Sequence, residues 1–224
     1  MNISSNNIHE RGNIDSSKEY FLKYNIPKDA HILDIGCRYG TLLSNLTLTG
    51  YISVYGIDID ENSIRIGRSL YPEISKNLFS YKGKNLPFNE KTFDVVLMFD
   101  VLEHIPDVNN FLQNEVHRVL KVNGIFIFQT PNKLINIPWE IINQKSLTKF
   151  RDDHCSLQTK RSLRTSLKNA GFSHIIIETH NIFTSHNLKK MRTKIGFIAW
   201  PLLFLINRMP PILNSNLWGS AKKT

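Results

Sequence analysis

Apolar residues fall along the chain in short blocks that alternate with stretches of helical spacing. After Pro27 the blocks His31–Ile35, Ser53–Ile57, Asn77–Tyr81, Phe93–Phe99, Ile125–Thr130 and His174–Thr179 are rich in Ile, Val and Phe. Each is of strand length. Several carry no polar interruption, which suits strands buried on both faces of a parallel sheet. Between them, Asp107–Lys121 sets Val108, Phe111, Leu112, Val116, Val119 and Leu120 on one helical stripe, with Asp107 as N-cap and Gly124 in the exit turn. Thr159–Ala170 places Leu163 and Leu167 on one face and stops at Gly171. Strands alternating with helices imply βαβ crossovers, so the pattern predicts a doubly wound α/β sheet in one domain spanning 1–224. Ligands in such sheets bind beyond the carboxyl ends of the strands, near the reversal of strand order. Candidate chemistry is therefore expected after Ile35, Ile57, Tyr81 and Phe99.

Composition narrows this picture. A chain of 224 residues with 41% hydrophobic and 21% charged residues is no disordered tail, collagen or coiled-coil rod. Two cysteines, Cys37 and Cys155, are too few for a disulfide scaffold or a structural zinc site. Residues 1–17 are polar and read as an arm or a loosely docked helix. The first thirty residues lack an apolar core with a cleavage site, and no run of 18 uncharged apolar residues occurs. The expected location is cytoplasmic. Charge is lopsided: residues 1–144 hold 14 Lys/Arg against 16 Asp/Glu, a net of −2, whereas 145–224 hold 14 against 3, a net of +11. Such asymmetry points to an anionic partner, or to a solvated basic face.

The first strand, Ile32-Leu-Asp-Ile, runs into Gly36-Cys-Arg-Tyr-Gly40 and then into an apolar helix start. Two glycines let backbone turn with positive φ and come close to a ligand. The spacing is not the G-x-G-x-x-G of a nicotinamide site. The second strand ends in Asp58-Ile-Asp60. An acid at that strand tip can accept both hydroxyls of a ribose. Asp60 suits the N-cap of the next helix, which leaves Asp58 as the better ribose ligand.

Further along stand Leu86-Pro-Phe88, Phe93-Asp-Val-Val, Val101-Leu-Glu-His-Ile105, Arg118-Val-Leu-Lys121 with Gly124, and Thr130-Pro-Asn132. With the glycine loop and the Asp58 strand, this series over about residues 30–180 closely resembles the class I S-adenosylmethionine-dependent methyltransferases. The nearest likeness is the type 11 subgroup that includes quinone-biosynthesis enzymes. The resemblance implies a Rossmann-like seven-stranded sheet, mostly parallel with one antiparallel strand. It also implies S-adenosylmethionine as cofactor. Asp34, Gly36 and Gly40 match the loop that holds its methionine part, and Asp58 the ribose acid. Ile59 would pack on the adenine and Leu86 would close the adenine pocket. Phe99 and Asp100 match the backbone at the methionine end. Glu103 and His104 match the active-site rim, and His154 a position near the substrate mouth. Two residues depart from the pattern: Arg38 stands where the family has glycine, and Lys82 near where it has an acid for the adenine amine. A lysine cannot accept that hydrogen bond.

Methyl transfer rests mostly on positioning, and a base is needed only for a weakly acidic acceptor such as a hydroxyl. His104 is the candidate base and Glu103 the second, against helix capping and structural hydrogen bonding for both. The histidines show no metal-binding spacing, and no metal is expected. The ending Leu217-Trp-Gly-Ser-Ala221-Lys-Lys resembles the family's last strand, which makes residues 181–213 an insertion between the last two strands. Within it, 189–208 opens with Lys189, Lys190, Arg192 and Lys194 and turns apolar through Phe197, Trp200 and Leu205. That fits an anionic membrane surface at the inner face of the membrane, or else a lid or a homodimer contact. The expected function is methyl transfer, as O-methylation, to a small-molecule or lipid-linked acceptor. The alternatives are a non-enzymatic cofactor-binding or scaffold protein and an RNA methyltransferase; nucleic acid ranks lowest because no RNA-binding module is recognisable.

Overall fold

The computed structural model describes residues 14–83, 85–137, 154–180 and 215–224. Seven strands form one sheet: β1 (His31–Ile35), β2 (Ser53–Asp58), β3 (Leu78–Ser80), β4 (Phe93–Phe99), β5 (Leu120–Pro131), β6 (Phe172–His180) and β7 (Asn216–Lys223). Their order is β3-β2-β1-β4-β5-β7-β6. Strands β1 to β5 pair in parallel. β7 is antiparallel to both β5 and β6, so the sheet is mostly parallel with one reversed strand, as expected. Strand order reverses between β1 and β4, which sets the switch point at the carboxyl end of β1.

Alternation along the strands feeds two apolar layers. Ile32, Val95, Leu97, Phe99 and Ile127 face α1 (Ile14–Leu22), α2 (Thr41–Leu48) and α3 (Glu61–Leu70). Leu33, Ile35, Val96, Met98, Phe126 and Phe128 face α4, within 108–119, and α5 (Lys160–Asn169). Continuous apolar strands are thus buried on both sides, and the sheet is the rigid platform of the site.

β2 and β6 run one or two residues beyond their blocks, and four larger differences from the sequence reading have a local reason. Residues 14–17 are the first turn of α1, whose Tyr20 and Phe21 are buried against α2 and β7 neighbours. β3 is shorter than Asn77–Tyr81, because Pro72–Asn77 forms a 3-10 turn up to its first residue. α4 is no uniform helix through Lys121: an α-turn (Val108–Phe111) opens into a π-turn (Leu112–Val116) and closes with His117–Val119. It stops because the carbonyls of Arg118 and Val119 accept from Lys91 and Thr92 N–H, at 2.9 and 2.8 Å, as β4 begins. β5 accordingly starts at Leu120, and its early turn carries Asn123 at φ 63°. The N-cap at Asp107 stands as read, its side chain accepting from Asn110 N–H. No helix among the described residues is long and apolar enough to cross a membrane. The 181–213 insertion and its 189–208 stretch lie outside the described residues.

Candidate functional site

The carboxyl ends of β1, β2 and β4 bring the glycine loop, Asp58 and the Phe99–His104 segment to one edge of the sheet. After β1 the chain turns sharply: Gly36 has φ 73° and its N–H, like that of Cys37, donates to Ile57 O, at 2.8 and 3.0 Å. The loop is therefore tied to β2 by its own backbone. A Cβ on Gly36 would run into Val101 Cγ2. Gly40, at φ 83°, caps α2, and its Cβ would lie 2.9 Å from Leu78 Cδ2. Arg38 sits between them at φ 52°, the left-handed region that costs a side chain about 1–2 kcal/mol. Glycine is the natural residue there, which explains the family preference that this chain departs from.

Asp58 ends β2. Its Oδ2 accepts from Arg38 N–H at 2.7 Å and its Oδ1 from Asp60 N–H at 2.9 Å. Each carboxylate oxygen keeps capacity for a further hydrogen bond. Asp60 is the N-cap of α3, accepting from Asn62 N–H, and the Ser63 hydroxyl bond holds its carboxyl below the usual range. Ile59 is 69% exposed, an apolar side chain left uncovered at the ligand end of the sheet. Lys82 is exposed, and Gly83 faces Ile59. Leu86, expected to close this side, has its side chain buried in the core under the turn. Asp34 is fully buried.

Beyond β4, Phe99 packs on Trp218, and Asp100 takes φ 52°. The Asp100 N–H donates to both Gln129 O and Gln129 Oε1, at 3.1 and 3.0 Å. Gln129 in turn donates to Asn216 Oδ1. The next turn, Leu102–His104, carries Glu103 inward and His104 outward. Glu103 is 1% exposed and accepts from Thr130 Oγ1 at 3.0 Å. Burial, with the Asp100 charge adding to it, pushes its carboxyl up to about 8. The Glu103 carbonyl accepts from Ser156 N–H and Cys155 Sγ, which pins the 154–156 segment to this turn. The His104 and His154 rings stand 5.3 Å apart as a result.

The structure thus gathers Gly36, Asp58, Ile59, Phe99, Asp100, Glu103 and His104 along one edge, and sets Leu86 and Asp34 beneath it. Two supports, Gln129 and Thr130, were not assigned from sequence. Gln129 and Thr130 were visible as polar residues closing an apolar strand. His154 stands beside His104, and donor atoms of Glu103, His104 and His154 lie within 4.8 Å of one another. By donor type such a set can hold a divalent cation. Sequence spacing, with 50 residues between them, showed no such set. A cleft of about 650 Å³ lies elsewhere, among His31, Asp94 and Lys121 at the amino ends of β1 and β4. Doubly wound sheets do not place ligands at that end.

Known proteins resemble this chain as follows. The family described as methyltransferase domain matches residues 7–200. The ubiquinone biosynthesis O-methyltransferase of Rickettsia bellii (strain OSU 85-389) is 36% identical over 112 residues, 49% of this chain and 45% of that protein. A probable S-adenosylmethionine-dependent methyltransferase of Mycolicibacterium smegmatis is 27% identical over 165 residues, 74% of this chain and 60% of that protein. The matched stretch therefore spans about half the length of such relatives. Among solved structures, Haemonchus contortus phosphoethanolamine N-methyltransferase 2 with S-adenosyl-L-methionine superposes at TM-score 0.68 and 17% identity, over 97% of this chain and 54% of that one. A putative sarcosine dimethylglycine methyltransferase from Galdieria sulphuraria gives 0.67 at 15% identity, over 94% and 86%.

Proposed function

The chain belongs to the methyltransferase-domain family, and on that premise we propose that it binds S-adenosylmethionine and methylates an oxygen of a small or lipid-linked acceptor. The observation that carries the cofactor reading is Asp58: a carboxylate at the tip of β2, with acceptor capacity left on each oxygen, beside a glycine turn and an uncovered Ile59. Those residues fit a nucleoside, with Asp58 taking the ribose hydroxyls, Ile59 an adenine face, and Gly36 and Gly40 leaving room for the amino-acid end. Asp34, Phe99 and Asp100 shape that end from β1 and β4, and buried Leu86 backs the adenine wall. Bound there, the cofactor supplies an electrophilic methyl group.

The chain's own work is to orient the acceptor and remove a proton. His104, exposed at the rim, takes the acceptor hydroxyl proton on an imidazole nitrogen. Glu103, carried inward and 1% exposed, does not reach the rim to compete as base. It serves instead as a buried support that sets the His104 turn. The basic, apolar stretch 189–208 suits contact with an anionic membrane, where a lipid-linked acceptor would be met.

Calorimetry with S-adenosylmethionine and S-adenosylhomocysteine tests the cofactor half. Mass spectrometry of metabolite extracts incubated with methyl-labelled cofactor tests the acceptor half. Binding without any labelled product would favour a cofactor-binding scaffold, a reading supported by Arg38 and Lys82. Labelled RNA would favour the RNA-methyltransferase reading.

A further inference from the structure

We propose that Glu115 and Arg118 are positioning residues for the cofactor, acting as a clamp behind the turn that walls the adenine side. The inference rests on the cofactor reading above and deepens it.

The described residues of the wall are 81–83, at the end of β3, and 85–88. Its first end is pinned by Tyr81 N–H donating to Asp58 O at 3.1 Å. Its far end is pinned from α4. Glu115 Oε2 accepts from Leu86 N–H at 2.7 Å. Arg118 donates to Leu86 O at 3.0 Å, to Phe88 O at 2.6 Å, and to Glu115 Oε2 at 2.8 Å. One residue, Leu86, thus has both backbone groups held by two side chains of opposite charge. The pair shares the charge, and the fork of a guanidinium suits two carbonyls at once.

Glu115 lies 8% exposed between Leu112 and Val116, on the buried face of the π-turn. A carboxylate is driven into an apolar layer at a cost unless it is paired and hydrogen-bonded. Here the requirement is met by Leu86 N–H and by Arg118 together, so moving the turn would cost the carboxylate its backbone partner. π-turns inside α-helices recur at functional sites. Burial pushes the Tyr81 phenol up to about 12, and the Asp58 and Glu115 carboxylates add to that shift. Neither Glu115 nor Arg118 stands at the strand tips where the ligand would lie. They act through Leu86, three residues beyond the Gly83 that faces Ile59. Arg118 and Glu115 also lie three apart on one helix, so a single element carries the whole device.

The test is calorimetry of S-adenosylhomocysteine and of adenosine on the full chain, with amide exchange at Leu86. The variants are Glu115→Gln, Glu115→Ala, Arg118→Lys and Arg118→Gln. Asp94→Asn serves as a structural control, since it breaks the Asp94–Lys121 pair at the far end of the sheet. Glu115→Ala and Arg118→Gln should weaken S-adenosylhomocysteine at least tenfold and raise Leu86 exchange. Glu115→Gln, which keeps an acceptor for Leu86 N–H, should recover part of the loss, as should Arg118→Lys. Adenosine should weaken by the same factor, because the defect sits on the adenine side. Asp94→Asn should lower the melting temperature and leave both affinities as in the wild type. If Glu115→Ala does not fold, the two conservative variants carry the test. Affinities within twofold of wild type, with Leu86 exchange raised, would overturn the clamp and leave the cofactor reading standing. Failure of the wild type to bind S-adenosylhomocysteine would overturn the cofactor reading and the clamp with it.

Discussion

Gly36→Ala should destabilise the fold through two separable terms, and Val101→Ala should remove one of them. Gly36 has φ 73°, where a side chain costs about 1–2 kcal/mol. The new Cβ would also collide with Val101 Cγ2, and forcing a methyl into packed surroundings costs about 1–3 kcal/mol. The single substitution should therefore cost about 2–5 kcal/mol. Val101 is half-buried against the α4 layer, so Val101→Ala alone should cost about 1 kcal/mol, half the burial of two methyl groups. If the two sites were independent, the double variant would lose about 3–6 kcal/mol. With the collision gone, it should lose about 2–3 kcal/mol, a coupling of about 1–3 kcal/mol. Urea denaturation of the four proteins measures each value. A strictly additive double variant, or a Gly36→Ala chain within about 0.5 kcal/mol of wild type, would refute the close approach of the glycine loop to the turn after β4.

Four further outcomes follow from the site. Asp58→Ala should weaken S-adenosylmethionine by about 1.5–3 kcal/mol, the range for hydrogen bonds to a charged group, and unchanged affinity by calorimetry would remove Asp58 as ribose ligand. His104→Ala should lower turnover about 100-fold or more with melting temperature and cofactor affinity kept; a change of only a few-fold would make the residue structural. The Glu103 carboxyl titrates near 8 when folded, against 4.5 as its ordinary value, so the folded state holds the extra proton between those pH values. Stability should thus fall as pH rises through that window, and Glu103→Gln should flatten the fall; equal slopes in both proteins would contradict the buried neutral carboxyl. Finally, the protein should float with anionic vesicles at low salt, less so when Lys189, Lys190, Arg192 and Lys194 are changed to Gln, and a wild type that stays with the soluble fraction at low salt would assign the stretch to a lid or dimer contact.

Much of the architecture was written in local pattern. Strands such as His31–Ile35 and Phe93–Phe99 begin and end where the apolar blocks do, because a strand buried on both faces must be apolar throughout. The cap at Asp107 follows from a side chain that reaches a backbone N–H three residues on. Gly36, Gly40 and Asp58 could be named as candidates because a strand tip, a turn and an acid are local features of the chain. What the tertiary structure decided depends on partners far apart in sequence. The last carbonyls of α4 are taken by Lys91 and Thr92 N–H, just ahead of β4, which no helical periodicity reveals. The raised Glu103 carboxyl needs burial and Asp100 together. His104 meets His154 because the Glu103 carbonyl holds the 154–156 segment. Glu115 reads as one more polar residue on a helix until folding brings Leu86 N–H to its carboxylate. Local sequence sets which conformations are cheap, whereas the low-dielectric contacts that tune and brace a site exist only once distant segments have been packed together.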